Sequence, residues 1–259
     1  MKNLKIQALQ KAFSIFELFA SNSKTELSAS EIGKSLNFPT GTLYRFLSDL
    51  ETAGYLKQDK VTKKYQLGLK FLELGAIVSN QIDLRKVAFP YLEELRVNLN
   101  ENVNLGILDG HEVVYLERLE NARLVRINVR VGSRIPIHCS SIGKVLLANQ
   151  PENKFEGILE KLDFRRFTEF TITDKDLFLK EICKIRSQGF AISDREFADD
   201  IRTVSAPIYN SSGVIEGAFN VSAPSYRLSY DLIDREVIPT IKKIGEAISR
   251  SIGFQGFYN

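Results

Sequence analysis

The segment Arg134-Ile135-Pro136-Ile137-His138-Cys139-Ser140-Ser141-Ile142-Gly143-Lys144 passes from an extended stretch into a helix through small residues. Two kinds of chemistry fit that spacing. The first amides of a helix have no internal acceptor and lie at the positive end of its dipole, so Ser141, Ile142 and Gly143 can hold a carboxylate through backbone N–H groups. Plain N-capping by Ser140 or Ser141 explains the same residues without a ligand. Ser141 and Lys144 also match Ser-x-x-Lys, in which a lysine one turn away deprotonates a serine nucleophile. No Ser-Asp-Asn or Lys-Thr-Gly partner, nucleophile elbow, phosphate loop or dinucleotide fingerprint accompanies the pair. Asp194, Glu196, Asp199 and Asp200 cluster, but a charged loop after a strand accounts for them. The expectation is a binding site with no catalytic residue; serine acyl transfer by Ser141 and Lys144 is the alternative.

A second set of polar groups lies near the N-terminus. A helix from about Thr40 to Ala53 turns Leu43, Phe46, Leu47 and Leu50 inward, which leaves Gly41, Arg45, Ser48 and Thr52 outward with Thr42, Tyr44 and Asp49 at the margins. Arg45 suits guanine or phosphate, and Thr40, Thr42, Tyr44 and Ser48 suit phosphate oxygens. Lys60, Lys63 and Lys64 crowd the tip of a hairpin between Tyr55–Gln58 and Tyr65–Leu67, as a wing beside a nucleic-acid backbone would require.

These groups need elements to position them. Leu9, Ala12, Phe13, Phe16, Phe19 and Ala20 give a first helix one buried face, and Ser28 or Ser30 starts a second that Asn37-Phe38-Pro39 ends. Three helices and a basic hairpin in this order predict a winged helix-turn-helix. Residues 1–80 hold 11 Lys and Arg against 7 Asp and Glu, so the positive charge lies where DNA would sit. A helix over Gly68–Gln81 is apolar on more than one side through Leu69, Leu72, Leu74, Ile77 and Val78, which suits either a buried core helix or a connector shared with a second subunit. A dimer would offer two recognition helices to two half-sites.

Asp83 opens a helix to about Asn100, bent or started afresh near Pro90. Strands follow at Asn102–Leu108 and Glu112–Leu119 around Asp109-Gly110, then at Leu124–Val131. Helices at Ser141–Ala148, Glu152–Leu162 and Asp174–Gln188 precede strands at Phe190–Ser193, Arg202–Tyr209 and Val214–Ala223, and a helix over Asp231–Ile252 ends the chain. The pattern predicts an α+β fold with an antiparallel sheet. Strand parity places Asn220 with Ser222, and Ile201 with Thr203 and Ser205; if both faces turn inward, they line a cavity with Ile127 and Ile135 as apolar walls.

At 259 residues the chain is long enough for two cores. Two cysteines and two histidines supply neither a disulfide framework nor a metal clamp, so neither metal nor cofactor is expected. With no membrane span and no secretory leader in the reading, the cytoplasm is the expected compartment.

The chain resembles the IclR family of bacterial transcription regulators. The likeness rests on Phe38-Pro39-Thr40-Gly41-Thr42-Leu43-Tyr44-Arg45, on Pro136-Ile137-His138-Cys139-Ser140 through Gly143-Lys144, and on Gly189-Phe190-Ala191 through Asp194, Glu196, Arg202 and Ala206-Pro207. The Gly213 hairpin and Val221-Ser222-Ala223-Pro224 complete it. The resemblance implies a DNA-binding domain over 1–68, a linker helix over 69–82 and a GAF-like effector domain over 83–259, assembled as a homodimer or dimer of dimers. It implies a repressor on double-stranded operator DNA, relieved or engaged by a small organic acid or sugar acid. By the same resemblance the acid is held at the amides of Ser141 and Ile142, with Leu124, Ile127, Ile135, Ser193, Ile201, Thr203, Asn220 and Ser222 lining the pocket. Two residues depart from the family pattern: Ser193 stands where relatives often carry an acid, and Asp200 where they often have glycine.

Overall fold

The computed structural model describes residues 5–22, 24–81, 83–121 and 130–256. The chain divides into two compact units, residues 1–81 and 82–259.

In the first unit, α1 (Gln7–Ser21), α2 (Ala29–Leu36) and α3 (Thr40–Thr52) precede the hairpin β1 (Leu56–Gln58) and β2 (Tyr65–Leu67) and helix α4 (Lys70–Gln81). Ser28 starts α2 through a reciprocal cap: its Oγ accepts the Glu31 N–H at 3.2 Å, and Glu31 Oε2 accepts the Ser28 N–H at 2.8 Å. Asn37 ends α2 in the left-handed region at φ 53°, and Pro39, which cannot continue a helix from behind, becomes the N-cap of α3. The core gathers Ile15, Phe19, Ile32, Leu43, Leu47, Leu56 and Tyr65. The first helix therefore buries Ile15 and Phe19, while Leu9 and Phe13, expected inside, are 46% and 43% exposed. The core is too small to cover a helix of this length from end to end. Phe71 of α4 packs edge-on against Phe16 and Tyr55, whereas Leu69, Leu72 and Ile77 stand in solvent.

The second unit is three-layered and α+β. Its six strands are β3 (Asn102–Asp109), β4 (Glu112–Leu119), β5 (Arg134–Pro136), β6 (Ala191–Asp194), β7 (Ile201–Tyr209) and β8 (Ile215–Pro224). All pair antiparallel in the order β5-β4-β3-β8-β7-β6. On one face, α5 (Asp83–Leu99) and the C-terminal helix bury Val103, Leu105, Val204, Phe219 and Val221. On the other, α6 (Ser141–Ala148), α7 (Glu152–Leu159) and α8 (Lys175–Gln188) bury Val113, Tyr115 and Ala218. Alternating parity along β3, β7 and β8 makes the two faces, and this positions the site.

Three details differ from expectation. The strand predicted at Leu124–Val131 falls mainly on residues 122–129, outside the described residues, and Val131 lies in the turn before β5. Helix α7 stops at Leu159 instead of Leu162. The terminal helix is not uniform: α9 (Tyr230–Leu232) widens into a π segment over Ile233–Val237 before α10 (Ile238–Ser251). Pro239 at the start of α10 brings no N–H and a ring that crowds the preceding turn, and the wider turn accommodates both.

Candidate functional site

Ser140 is the N-cap of α6. Its Oγ accepts the Gly143 N–H at 3.2 Å and donates to the Pro136 carbonyl at 2.9 Å. Gly143 is required here, because a Cβ would lie 2.5 Å from Ile137 Cα and 2.7 Å from Ile137 O. The helix start is thereby drawn against the Ile137 turn, with the Ser141 and Ile142 amides at the positive end of the dipole. Both residues are fully buried. The Ile142 side chain belongs to the apolar core below α6, so its N–H is the group it can offer a ligand.

Both predicted strand faces turn toward α6. Ile135, Ser193, Ile201, Thr203, Asn220 and Ser222 line one cavity of about 40 Å³. Thr203 pairs with Ser222, and Ser205 with Asn220, in the β7–β8 register. Ser141 stands one hydroxyl behind the wall: its Oγ lies 2.7 Å from Thr203 Oγ1 and accepts from Ser205 Oγ at 2.7 Å. Ser193, where relatives often carry an acid, spends its hydroxyl on the Cys139 carbonyl at 3.0 Å. Leu124 and Ile127 lie outside the described residues.

Sequence reasoning missed part of the wall, including Asn104, Tyr115, Arg118 and Phe197. Asn104 Nδ2 donates to Asn220 Oδ1 at 2.8 Å, closing a buried amide pair across β3 and β8. Its signal was available, since Asn104 shares the parity of Asn102 and alternates with the apolar Val103 and Leu105. Arg118 had no such signal. The register slips between Leu105 and Gly106, which face Glu117 and Tyr115, so Leu116 is an extra residue. The bulge puts Tyr115 and Arg118 on one wall although they are three residues apart.

The serine–lysine reading does not survive this geometry. Lys144 Nζ is 2.5 Å from Glu196 Oε1, with the two residues 0% and 6% exposed, and the Ser141 hydroxyl is engaged with Thr203 and Ser205. Base and nucleophile are thus committed to different partners. Burial pushes the Glu196 carboxyl above its ordinary range, against the downward pull of Lys144. Burial likewise drives Tyr115 and the Cys139 thiol up to about 12 and holds the His138 imidazole below its usual value. No group of three or more potential metal-ligating side chains occurs among the described residues.

On the first unit, Thr40, Gly41, Tyr44, Arg45 and Ser48 are exposed on α3 and Thr42 is half-buried. Nothing lies within 4 Å of where a Gly41 Cβ would stand, so packing does not demand glycine there. Lys60, Lys63 and Lys64 are exposed on the hairpin tip. Asp59 shapes that tip, accepting the N–H groups of Thr62 and Val61 at 2.6 and 2.9 Å, while Lys63 adopts φ 59°. Hydrogen bonds from Thr62 foremost, then Val61, hold the Asp59 carboxyl below its ordinary value. The result is a basic turn whose backbone is held by hydrogen bonds to Asp59.

Comparison with known proteins agrees with both halves. The family description "IclR helix-turn-helix domain" matches residues 8–60, and "Bacterial transcriptional regulator IclR C-terminal" matches residues 76–250. The HTH-type transcriptional regulator XynR of Escherichia coli is 32% identical over 252 residues, 96% of this chain and 98% of XynR. The HTH-type transcriptional repressor AllR of Salmonella typhi is 31% identical over 225 residues, 87% of this chain and 82% of AllR. The crystal structure of an IclR homolog from Microbacterium hydrocarbonoxydans complexed with 4-hydroxybenzoate is 26% identical and superposes with a TM-score of 0.80, covering 95% of this chain and 98% of that one. A helix-turn-helix unit with a basic hairpin, an α+β unit with a polar cavity at a helix start, and matches across both place the chain in the IclR family of bacterial transcriptional regulators.

Proposed function

We propose that this chain is a cytoplasmic repressor that binds operator DNA through α3 and the β1–β2 hairpin and changes its affinity when a small carboxylate enters the cavity of the second unit. The observation that carries the reading is that cavity: buried hydroxyl and amide groups between apolar walls, at the start of a helix. A solved relative holds 4-hydroxybenzoate, a compact carboxylate, which supports the ligand class. The relative described as a repressor supports the sign of the response. In this reading Arg45 reaches a base edge or phosphate, Thr40, Gly41, Thr42, Tyr44 and Ser48 meet the backbone, and Lys60, Lys63 and Lys64 flank it. Exposed Leu69, Leu72 and Ile77 support assembly as a homodimer or dimer of dimers through the linker helix, residues 69–82. Coupling requires that the acid bind the DNA-competent and DNA-incompetent arrangements with different affinity.

The test is binding of the purified chain to DNA from its own upstream region at two salt concentrations, with a panel of small carboxylates. Specific binding weakened by salt, and altered by a carboxylate, is expected. Arg45→Ala should cost about 1–3 kcal/mol of specific binding, and Asn220→Ala or Ser222→Ala should weaken the carboxylate response. Specific binding that is indifferent to Arg45→Ala refutes the placement of the recognition helix. A carboxylate response that is unchanged in both cavity variants refutes the pocket.

A further inference from the structure

The bulge in β4 turns two successive residues toward the same layer. Leu116 joins the core under α5 and Glu117 reaches Arg85 of α5, while Tyr115 before them and Arg118 after them line the cavity on the other side of the sheet. An inserted residue disrupts the ladder locally, so a bulge is where a strand yields most readily. In β4 that place stands between two residues of the cavity wall.

Glu117 is 7% exposed, and its two oxygens serve different elements. Oε1 accepts the backbone N–H of Arg118 at 3.0 Å. Oε2 accepts Arg85 Nε at 2.9 Å and lies 2.8 Å from Arg85 Nη2. One buried carboxylate thus joins the main chain of a cavity-wall residue to the first turn of α5. Charge-assisted hydrogen bonds are strong and directional, and a buried carboxylate that loses a partner is left poorly compensated, so Glu117 follows both of its neighbours.

The position of Arg85 gives this link its consequence. Helix α4 ends the first unit at Gln81 and α5 opens the second at Asp83, so the chain enters the second unit through the turn that carries Arg85. Leu84 seats that turn on β8: it is buried, and a Cβ on Gly217 would come within 2.6 Å of its Cδ2. A close-packed contact of this kind transmits a displacement instead of absorbing it.

We infer that the Arg85–Glu117 pair couples the cavity to the DNA-binding unit, with Glu117 as a positioning residue that touches neither the carboxylate nor DNA. A ligand that moves the Tyr115–Arg118 stretch shifts Glu117 and, through Arg85, the turn that leads back to α4. This coupling rests on the reading of the chain as a carboxylate-responsive DNA-binding regulator, and it requires the pair to be arranged differently in the two states.

The test is the affinity of the full chain for its upstream DNA with and without acetate, pyruvate, succinate or benzoate at millimolar concentration, beside calorimetric titration of the same carboxylates in the absence of DNA. An effective carboxylate should change the DNA affinity of the parent by about 5–150-fold. Glu117→Gln keeps the shape of the side chain and removes its charge. It should reduce that change to less than about threefold, while DNA affinity without carboxylate and carboxylate affinity without DNA each stay within about threefold of the parent. Arg85→Lys, which keeps the charge without the fork, should retain part of the response. A pair that only stabilised the fold would lower the unfolding midpoint and leave the ratio of DNA affinities unchanged. If Glu117→Gln fails to fold, Arg85→Met with Glu117→Leu puts apolar side chains of similar volume in place of the pair and carries the same expectation. A response of parental size in the folded variant, or a loss of carboxylate binding itself, overturns the inference and leaves the regulator reading standing. A parent that does not bind its upstream DNA, or whose binding none of these carboxylates changes, overturns that reading and the inference with it.

Discussion

Replacing Lys144 by Met tests whether the buried pair behind the cavity holds the second unit together. Lys144 and Glu196 are 0% and 6% exposed, and Glu196 Oε2 has no hydrogen-bond partner, so the carboxylate depends on the lysine for compensation. Removing one member of a buried ion pair costs about 3–5 kcal/mol because the other charge stays behind. In a domain of this size 1 kcal/mol moves the melting midpoint by about 2–4 °C, so Lys144→Met should lower it by roughly 6–20 °C. The pH dependence has a definite sign. Burial already raises the Glu196 carboxyl and Lys144 restrains it; without the lysine it rises further in the folded state. A raised carboxyl binds a proton more readily when folded, so the loss shrinks as pH falls from 7 toward the ordinary Glu value of 4.5. Thermal and urea unfolding, both followed by circular dichroism at pH 7 and pH 5, on the parent, Lys144→Met and Lys144→Met with Glu196→Leu, measure all of this. The double variant should recover to within about 1 kcal/mol of the parent, because an apolar pair of similar volume replaces two compensated charges. A single variant within about 1 kcal/mol of the parent, or a double variant as unstable as the single, would falsify the assignment.

Three further outcomes follow from local geometry. Glu31 is held down to about 2, first by the Ser28 N–H and then by Lys24 and the Ser28 hydroxyl. Its stabilisation of the first unit is thus complete above pH 4.5 and lost as pH falls toward 2. The melting gap between the parent and Glu31→Gln should narrow over that window, and a gap independent of pH would contradict the reciprocal cap. Cys139 is buried with its thiol raised to about 12 while Cys183 is exposed, so a thiol reagent near pH 8 should label one cysteine per native chain and two after unfolding; prompt labelling of both would show that the Cys139 site opens. Gly143→Ala should destabilise by about 1–3 kcal/mol through contact with the Ile137 backbone. Gly41→Ala, whose Cβ meets nothing within 4 Å, should raise stability by up to about 1 kcal/mol, so thermal shifts of the same sign would undo the packing account.

The parts of the fold that depend on short-range pattern were legible. The Ser28-Glu31 spacing marks a cap that the coordinates realise, Asp109-Gly110 joins two strands, and the alternation of Asn220 with Ser222 and of Ile201 with Thr203 puts all four on one cavity. What escaped depends on partners distant in the chain or on a broken period. Ser141 and Lys144 read as a catalytic couple because they are three residues apart, yet Lys144 is claimed by a carboxylate 52 positions away, a pairing that only the return of the chain through α8 and β6 creates. Leu9 and Phe13 satisfy helical periodicity without being buried, since periodicity says which side of a helix is apolar and not whether anything covers it. Arg118 shows the sharper limit. Strict alternation along β4 sets Tyr115 and Arg118 on opposite faces, and one inserted residue, Leu116, brings them to the same wall. A bulge leaves no compositional mark in this strand, so the cationic residue among the described cavity-lining residues is the one that alternation assigns to the wrong side of the sheet.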